Sequence, residues 1–522
     1  MARITCYDGV GCIGGNKILL EDGKTKLWLD FGMNFGRWGK FYEEYLKPKT
    51  PTGLYEPIQM GLLPPFRDLY RPDLVSSLAD PWVGKDEQNV GDVAGILLSH
   101  AHLDHVGALH YVREDIPVYC SAMTLAIAKA AEDTGSGAPD HYCYVASYEA
   151  GETGELKSAY YAKSPSRSRP FVLANEKPGA DLMAFWNSTP SSLLPKGRPH
   201  QPAPIGASSM CGETKVRHFS VDHSLYGACA WAIETSAGSV VYTGDLRCHG
   251  RQAELTWKFA EEVGKLKPRA LIIEGTRIES DDTCTEDEVR ERALEEVKKA
   301  KGVVVADFGP RNVERLFSFL EIARETGRKL ILLPKDAYLL EKMALAAPPG
   351  EVPLLDDKNI LIYCKYEVSS LNWRKMIREK YSAKLVQPWQ VATNQDKAIC
   401  CFSFWDVNEL AYIKPVAGSV WIYSSCERFN EEMQIDLERL RAWTDKHEMV
   451  YLGGDEKDRN NPFHVSGHAC RSDLLKLIEI ISPQVVIPIH TEKPELFEEV
   501  VKRELKGKCR VQRPNPEDPI EL

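Results

Sequence analysis

The feature that most constrains this chain is a cluster of metal-ligating side chains directly after an apolar run. Residues 93–98 are apolar, and residues 99–105 continue them with the sequence SHAHLDH. Four potential ligands therefore fall within six residues: His100, His102, Asp104 and His105. Alternation along an extended loop places the first two on one side and turns the last two toward a second position, which suits two metal ions about 3.5–4 Å apart. Imidazole and carboxylate ligands favour zinc, with manganese and iron as alternatives.

The composition is that of an ordinary globular protein. Of the 522 residues, 43% are hydrophobic and 27% are charged, which excludes wholesale disorder and collagen. No apolar run reaches about 18 residues, and the N-terminus reads as a strand rather than a signal peptide, so we expect a cytoplasmic protein with no membrane contact. The 14 cysteines form no C-x-x-C pair, which predicts reduced, mostly buried thiols. The net charge of -10 is not that of a nucleic-acid coat, but a local basic groove stays open.

A glycine-rich segment near the N-terminus imitates a nucleotide-binding motif. Residues 9–14 read GVGCIG and match the pattern G-x-G-x-x-G. That pattern needs a helix directly after it, because the helix N-terminus meets the pyrophosphate. Here residues 18–20 and 27–29 continue as strands, and residues 23–25 lack the upstream glycine of a P-loop. We therefore predict a hairpin or a loop near a ligand, not a nucleotide site.

The chain alternates between β-rich, proline-rich and α/β segments. Residues 1–35 predict strands, whereas residues 36–90 contain seven prolines among aromatic residues and predict an ordered insertion. Residues 150–212 are again proline-rich and predict a second insertion or an extended connection. Three strand-like runs follow within residues 215–245. Helices then alternate with strands between residues 285 and 455, which predicts an α/β domain.

Two further strand ends carry ligand-type side chains. His223 stands in the sequence SVDHS and Asp245 in VVYTGD, each at the end of a strand-like run. Together with residues 99–105, this order of motifs resembles the metallo-β-lactamase superfamily. The resemblance implies that His223 completes the first metal site and that Asp245 bridges both metals.

Later segments resemble the β-CASP nucleases, whose α/β cap is inserted into the metallo-β-lactamase fold. Residues 271–277 (LIIEGTR) resemble the acidic motif, residues 464–469 (HVSGHA) the histidine motif and residues 487–492 (IPIHTE) the last histidine motif. HVSGHA followed by PIH is most similar to the RNase J group. Residues 306–312 (ADFGPRN) also resemble a cap segment of that group. The resemblance implies an α/β fold class, with an αββα sandwich and an inserted cap. The implied division is residues 1–275 and 456–522 for the sandwich, and 276–455 for the cap.

The resemblance also implies the members of the site. One metal would be held by His100, His102 and His223, and the other by Asp104, His105 and His490, with Asp245 between them. The implied catalytic residues are Asp104, His468 near the scissile phosphate, and Glu274 orienting a histidine. The candidate substrate contacts are His464, Ser466, Arg311 and Asn312. Asp30 is expected to support the centre from outside, and Arg247, Arg277 and Lys335 are further candidate phosphate contacts because we place them near loop ends.

Two departures from the RNase J pattern limit what is carried over. Residues 423–431 read YSSCERFNE where RNase J enzymes usually show a PGNE-type segment, so substrate and partner detail does not transfer. The chain also ends soon after His490, so we expect no separate C-terminal domain and no dimerisation through one. A homodimer of another kind stays open.

The implied function is a ribonuclease with two Zn²⁺ ions, or Mn²⁺ or Fe in their place. It would hydrolyse single-stranded RNA as a 5′-to-3′ exonuclease, with endonuclease action as a second mode. A DNA nuclease of the same fold is the nearest alternative, because recognition of the 2′-OH cannot be located in a sequence. A small-molecule metallohydrolase would leave the cap unexplained. A catalytically inactive RNA- or protein-binding scaffold would show degenerate ligands, whereas all seven candidates are present.

Overall fold

Two large β-sheets lie face to face at the centre of the molecule. The computed structural model describes residues 2–43, 45–135, 142–159, 166–189, 200–281, 284–348, 350–367, 371–425, 431–454 and 461–522. Sheet 1 has eight strands, in the order Gly206–Ala207, Phe171–Leu173, Val118–Cys120, Gly95–Leu97, Thr25–Phe31, Lys17–Asp22, Ala2–Asp8 and Pro519–Glu521. Sheet 2 has seven, in the order Met210–Cys211, Thr214–Ser220, Cys229–Thr235, Gly238–Tyr242, Ala270–Glu274, Val485–Ile489 and Arg510–Val511.

Apolar side chains on both faces of each sheet build a four-layer sandwich. The inner faces share one core, in which Ile4, Leu20 and Leu27 of sheet 1 join Trp231 and Ile272 of sheet 2. Helix Ala122–Asp133 covers the outer face of sheet 1. Three helices cover the outer face of sheet 2, namely Ala253–Gly264, Arg471–Ile481 and Pro494–Leu505. A sheet that is apolar on both faces must be covered on both, which gives the αββα order.

The cap is inserted between two neighbouring strands of sheet 2. Its sheet is parallel throughout, with the strand order Leu385–Val386, Ile360–Tyr363, Lys329–Leu332, Ala398–Cys401, Val304–Asp307, Val420–Tyr423 and Val450–Leu452. Its α-helices are Glu286–Lys299, Val313–Thr326, Pro334–Met343, Asn372–Lys380, Pro388–Thr393, Leu410–Ile413 and Glu431–Lys446. The predicted α/β class, a sandwich with an additional α/β unit, is confirmed. The predicted domain boundaries stay predictions.

The cap packs directly on the sandwich. One hydrophobic core runs from helix Ala122–Asp133 to the cap helix Pro334–Met343. Within this contact the Tyr338 hydroxyl donates a hydrogen bond of 2.7 Å to Asp133. Asp133 is buried and also accepts a hydrogen bond of 2.8 Å from the buried Lys129 ammonium. Apolar burial and a satisfied ion pair together hold the two units in one arrangement.

The two proline-rich segments differ in how they join the sandwich. Residues 36–90 form short helices and turns, and their side chains Leu54, Phe66 and Trp82 are buried in the core beside sheet 1. The segment is therefore ordered, and its status as an insertion stays a prediction. In residues 150–212, by contrast, Phe171–Leu173 and Gly206–Ala207 extend sheet 1 by parallel pairing. The expected insertion or extended connection thus contributes two strands to sheet 1. The sequence did not reveal them, because strands of two or three residues carry no detectable alternation.

The other short elements lie in the linking segments. They are the α-helices Phe35–Trp38, Tyr55–Gln59, Leu103–Val106 and Ala180–Asn187, and two small sheets built from Tyr144–Val145, Ser166–Ser168 and His200–Gln201, and from Tyr148–Ala150 and Leu156–Ser158. Residues 160–165 and 190–199 lie outside the described residues, as do residues 426–430 of the segment that departs from the RNase J pattern. None of the helices in the described ranges combines the length and apolar character needed to cross a bilayer.

A buried carboxyl group makes the stability of the cap depend on pH. Asp307 is buried at the end of strand Val304–Asp307, and burial raises its pKa to about 7. In the unfolded chain an aspartate titrates near pH 4, so the folded state binds this proton more tightly. The stabilisation is therefore present in full below pH 4 and is lost as the pH rises to about 7.

We expect Asp307→Asn to raise the melting temperature at pH 8 by several degrees, because the buried charge is removed. At pH 5 the protonated carboxyl and the amide are nearly equivalent, and the change should be small. Thermal unfolding at both pH values measures this, with the exposed Asp356→Asn as the control. An equal shift at both values would show that Asp307 does not titrate as described.

Candidate metal centre

The predicted ligands meet because each follows the end of a strand. His100 follows Gly95–Leu97 of sheet 1 by a few residues, and Asp245 and His490 follow Gly238–Tyr242 and Val485–Ile489 of sheet 2. All seven side chains converge at the edge where the two sheets meet the cap. Their ligand atoms fall into two groups, His100 with His102 and His223, and Asp104 with His105, Asp245 and His490.

The first group consists of three imidazole nitrogens that face one point. His102 Nδ1 lies 3.0 Å from His100 Nε2 and 3.2 Å from His223 Nε2. Two of the three opposite ring nitrogens are already occupied, since His100 Nδ1 faces the Ser99 hydroxyl at 3.0 Å and His223 Nδ1 donates to the Gly467 carbonyl at 2.5 Å. The inward nitrogens are therefore free to act as ligands.

The second group is arranged around Asp245. Its Oδ2 lies 3.1 Å from His105 Nε2 and 3.7 Å from His490 Nε2. The same oxygen lies 3.8 Å from His100 Nε2 and 4.0 Å from His223 Nε2, so it stands between the two groups. Asp104 Oδ2 completes the second group at 3.3 Å from His490 Nε2.

These residues fit a pair of divalent cations. Nitrogen ligands about 2.0–2.1 Å from a tetrahedral zinc lie roughly 3.3 Å apart, close to the spacing of the three imidazoles. Asp245 Oδ1 is buried and has no hydrogen-bond partner among the described residues. A buried carboxylate oxygen without a partner is costly unless a cation satisfies it. The donor set of five imidazoles and two carboxylates suits zinc.

Burial and charge divide the histidines into two classes. Burial lowers the pKa of His100 and His223 well below the ordinary range, and that of His102 to about 4. Burial opposes the charge on His105 as well, but the carboxylates of Asp245 and Asp104 outweigh it and raise its pKa well above the ordinary range. The first group is thus neutral and ready to bind a cation, whereas His105 must release a proton first.

Asp30 orients the second group from outside it. Its carboxylate accepts hydrogen bonds from His105 Nδ1 at 2.6 Å, from the Ser99 hydroxyl at 2.7 Å and from the Tyr242 hydroxyl at 2.5 Å. With Nδ1 engaged, His105 presents Nε2 to the centre. The expected support by Asp30 thus has a geometric basis. The hydrogen bonds that Ser99 and Tyr242 donate to Asp30 were not predicted. No local signal could reveal Tyr242, because it comes from the opposite sheet.

We expect Asp30→Asn to weaken metal binding by about 10- to 100-fold, the usual effect of losing such an outer partner. Asp30 has a φ of 55°, which asparagine also tolerates, so the change removes charge and leaves the backbone in place. Metal titration by calorimetry measures the loss, with the exposed Asp92→Asn as the control. Wild-type affinity in Asp30→Asn would show that His105 is oriented without Asp30.

His468 and Glu274 form a separate acid–base pair beside the second group. His468 Nδ1 lies 3.1 Å from Glu274 Oε1, and its ring stacks on that of His490 with centroids 5.3 Å apart. Burial would lower the pKa of His468, but the carboxylates of Glu274 and Asp245 raise it to about 9. Thr276, which the motif contained without an assigned role, places its hydroxyl 2.9 Å from His490 Nδ1.

The candidate substrate contacts lie around this pair but differ in their burial and in the hydrogen bonds that they already make. His464 is half-buried, and burial with the neighbouring Arg315 lowers its pKa to about 4. The Ser466 hydroxyl accepts a hydrogen bond of 3.2 Å from the backbone of His468. Arg311 donates to the Ala101 carbonyl at 2.7 Å, inside the first ligand motif. Asn312 caps helix Val313–Thr326 by accepting from the Arg315 N–H at 3.0 Å, so its oxygen already has a partner.

Arg247 is not exposed near a loop end, contrary to our expectation. Its side chain is completely buried, with Nε 3.2 Å from Asp222 and Nη2 paired with Glu314 of the cap. Arg277 is half-buried, with its guanidinium 3.4 Å from the Ser280 hydroxyl. The error has a simple reason, since Arg247 follows Asp245 closely in sequence but turns inward, and a sequence does not show that turn.

The glycine-rich loop of residues 9–14 lies against the metal ligands. It joins the antiparallel strands Ala2–Asp8 and Lys17–Asp22, which confirms the predicted hairpin. Its Gly9 carbonyl accepts a hydrogen bond of 2.8 Å from the His490 N–H. Gly14 has a φ of 76°, and a Cβ there would lie 2.9 Å from Asp104 Oδ2. Glycine is therefore required for the ligand loop to approach so closely.

Two family models match this chain. A "Zn-dependent metallo-hydrolase RNA specificity domain" matches residues 457–512, and a "Beta-lactamase superfamily domain" matches residues 64–154. The first range contains His464, His468 and His490, and the second contains the ligand motif at residues 100–105.

Several curated relatives are named as ribonucleases. Ribonuclease J 2 of Streptococcus pyogenes is 23% identical over 417 residues, which cover 78% of this chain and 61% of that protein. Ribonuclease J of Helicobacter pylori is 21% identical over 504 residues, covering 94% and 56%. Ribonuclease J of Pyrococcus abyssi is 22% identical over 422 residues, covering 77% and 74%. The chain thus spans less than two thirds of the length of the first two.

A solved structure shares the fold. It is a crystal structure of a protein of unknown function from Enterococcus faecalis V583, 21% identical, with a TM-score of 0.64 and complete coverage of both chains. The matched models, the relatives and the arrangement of the ligand motifs agree with one another. Together they support the similarity of this chain to the metallo-β-lactamase superfamily and, within it, to the RNase J-like β-CASP group.

Proposed function

We propose that this protein is a metal-dependent ribonuclease that hydrolyses phosphodiester bonds of RNA. The observation that carries the proposal is the shared position of Asp245 Oδ2, within 4.0 Å of imidazole nitrogens from both ligand groups. The match of residues 457–512 to an RNA specificity domain supports RNA as the substrate. The names of the relatives support the same substrate class.

The proposed centre holds two divalent ions, of which zinc suits the donors best. His100, His102 and His223 would hold one ion, Asp104, His105 and His490 the other, and Asp245 would bridge them. Such ions, when bound, activate water and offset the charge of the phosphate oxygens. The protein's own contribution is rigidity, because Ser99, Asp30 and Thr276 fix the ring orientations by hydrogen bonds.

His468 is the proposed proton donor to the leaving oxygen. Glu274 accepts from its Nδ1, which turns the other ring nitrogen away from the carboxylate. The carboxylates of Glu274 and Asp245 raise its pKa to about 9, which favours the protonated ring. A protonated imidazole beside the scissile bond stabilises the departing alkoxide by transferring its proton. Glu274 is therefore a positioning residue, and His464, Ser466 and Arg311 are proposed to bind neighbouring phosphates.

Digestion of matched 5′-labelled single-stranded RNA and DNA by zinc-loaded protein tests the proposal. We expect cleavage of RNA, with mononucleotides released from the 5′ end as the main product and internal fragments as the sign of endonuclease action. His102→Ala and His468→Ala should both lose cleavage, and only His102→Ala should lose metal. The homodimer and the cytoplasmic location stay predictions.

Three outcomes would redirect the proposal. Equal or preferred cleavage of DNA would make the protein a DNA nuclease of the same fold. Cleavage of neither polymer by protein shown to hold two metals would favour a small-molecule hydrolase. Failure to bind metal together with tight RNA binding would favour an inactive scaffold.

A further inference from the structure

The carboxyl ends of the cap strands form one continuous edge. All seven strands of the cap sheet are parallel, so the chain leaves each of them on the same side. In open parallel sheets this is the edge at which ligands bind. The side chains that follow the strand ends are therefore neighbours in space, although they lie far apart in sequence.

This edge reaches the metal centre at one strand. Arg311 follows strand Val304–Asp307 and donates a hydrogen bond of 2.7 Å to the Ala101 carbonyl. Ala101 lies between the ligands His100 and His102. The carboxyl edge of the cap thus begins at the first ligand group and leads away from it.

Both cations and aromatic rings follow the strand ends along this edge. Moving outward from Arg311, the next strands in the sheet are Ala398–Cys401, Lys329–Leu332, Ile360–Tyr363 and Leu385–Val386. Each of these four strands is followed within five residues by a large aromatic or a cationic side chain, in the order Trp405, Lys335, Tyr366 and Trp389. We name Arg311 and these four side chains the cap-edge row.

The aromatic members of the row are exposed to solvent. Trp405 is 70% exposed, Trp389 60% and Tyr366 56%. They include both exposed tryptophans among the residues that the structure describes. Tyr366 packs edge-on against Tyr412, with ring centroids 5.2 Å apart, so its ring is held in place. Large rings left in water on one edge suggest a flat, stacking partner.

Two members of the row, Arg311 and Lys335, are cations. Lys335 forms no ion pair with a described residue, although Asp307, Asp336 and Asp406 lie near it. Lys365, directly before Tyr366, pairs with Asp406 at 2.5 Å. Adjacent strands are about 4.8 Å apart, so the row spans roughly 20 Å. A row of that length accommodates about four nucleotides, the lower end of the site sizes of single-strand binders.

We infer that the cap-edge row binds single-stranded RNA that extends from the metal centre, stacking bases on Trp405, Tyr366 and Trp389 and pairing phosphates with Arg311 and Lys335. This inference rests on the proposed function and adds a path for the strand. Aromatic stacking accepts any base, so the row binds without sequence preference.

The test compares a 20-nucleotide single-stranded RNA with the small phosphodiester bis(p-nitrophenyl) phosphate. For the double variant Trp405→Ala/Tyr366→Ala we expect the Kd for the RNA to rise at least tenfold, consistent with the usual loss per stacked base. Hydrolysis of the small phosphodiester should stay at the wild-type rate. For Lys335→Ala the slope of log Kd against log salt should fall by about 0.7, as expected for one lost phosphate contact.

Val450→Ala and Lys301→Ala are the matched controls, because both residues are exposed at the opposite, amino edge of the same sheet. If the row variants bind RNA with wild-type affinity and the protein cleaves RNA, the cap-edge row does not bind the strand, and the proposed function still stands. If the wild type hydrolyses neither substrate and does not bind RNA, both the role of the row and the proposed function are wrong. A change from dimer to monomer in the double variant, without a change in RNA binding, would overturn the row and show that its rings contact a second copy.

Discussion

Replacing Asp245 with asparagine is expected to lower hydrolysis by about a thousandfold or more, because losing several kcal/mol of charge stabilisation changes a rate by that factor. One carboxylate oxygen here faces imidazoles of both ligand groups, and the other has no partner among the described residues. Asparagine keeps the shape of the side chain but removes the negative charge. Its amide could also present N–H groups to ring nitrogens.

The same substitution should change metal binding in a specific way. Burial would raise the pKa of Asp245, but the charge on His105 outweighs burial and lowers it well below the ordinary range. Removing the carboxylate should therefore lower the pKa of His105. It also removes the anion that the two metal ions would share. Elemental analysis of purified Asp245→Asn should find fewer than two metals per chain.

Asp115→Asn is the matched control, since that carboxylate is 68% exposed and, within the described ranges, pairs only with Arg113 at the surface. It should keep both metals and full activity. An Asp245→Asn protein with two metals and near wild-type hydrolysis would refute the bridging role. An unfolded variant is recognised by its circular dichroism and would be replaced in the test by Asp245→Glu.

The strand-end ligands could be predicted because their signals are local. The motif at residues 99–105 stands directly after an apolar run, and Asp245 and His490 follow apolar runs of their own. Strand ends of packed sheets collect at a few edges, so ligand-type residues in these positions meet even when hundreds of residues separate them. The structure brings all seven together in two groups. Their roles as ligands remain proposals.

What could not be predicted depends on contacts between distant segments. Tyr242 reaches Asp30 from the opposite sheet, and Thr276 reaches His490 across the centre. Nothing beside Tyr242 or Thr276 in the sequence marks these partners. The strands Phe171–Leu173 and Gly206–Ala207 were likewise hidden, because a strand of two or three residues is defined by its neighbours in the sheet and not by its own pattern.

Arg247→Met is expected to destabilise the protein by about 3–5 kcal/mol, the usual effect of removing one partner from a buried ion pair. Arg247 is completely buried between Asp222, which precedes the ligand His223, and Glu314 of the cap. The network continues through Glu286 and Arg315, whose charged groups lie 2.9 Å apart, to the Phe463 carbonyl beside His464. Methionine would fill the space but leave two buried carboxylates without a cation.

The comparison of three variants separates this charge effect from a packing effect. Urea unfolding of Arg247→Met should show the full loss, whereas Arg324→Met, whose surface pair with Asp357 is half-exposed, should lose less than about 1 kcal/mol. Adding Glu314→Gln to Arg247→Met should recover part of the loss, because one unpaired buried charge is removed. If the single variant were as stable as the wild type, the buried arginine would not be holding the cap and the ligand loop together. If the double variant recovered nothing, the loss would come from packing, and the position of His223 would have to be explained without this network.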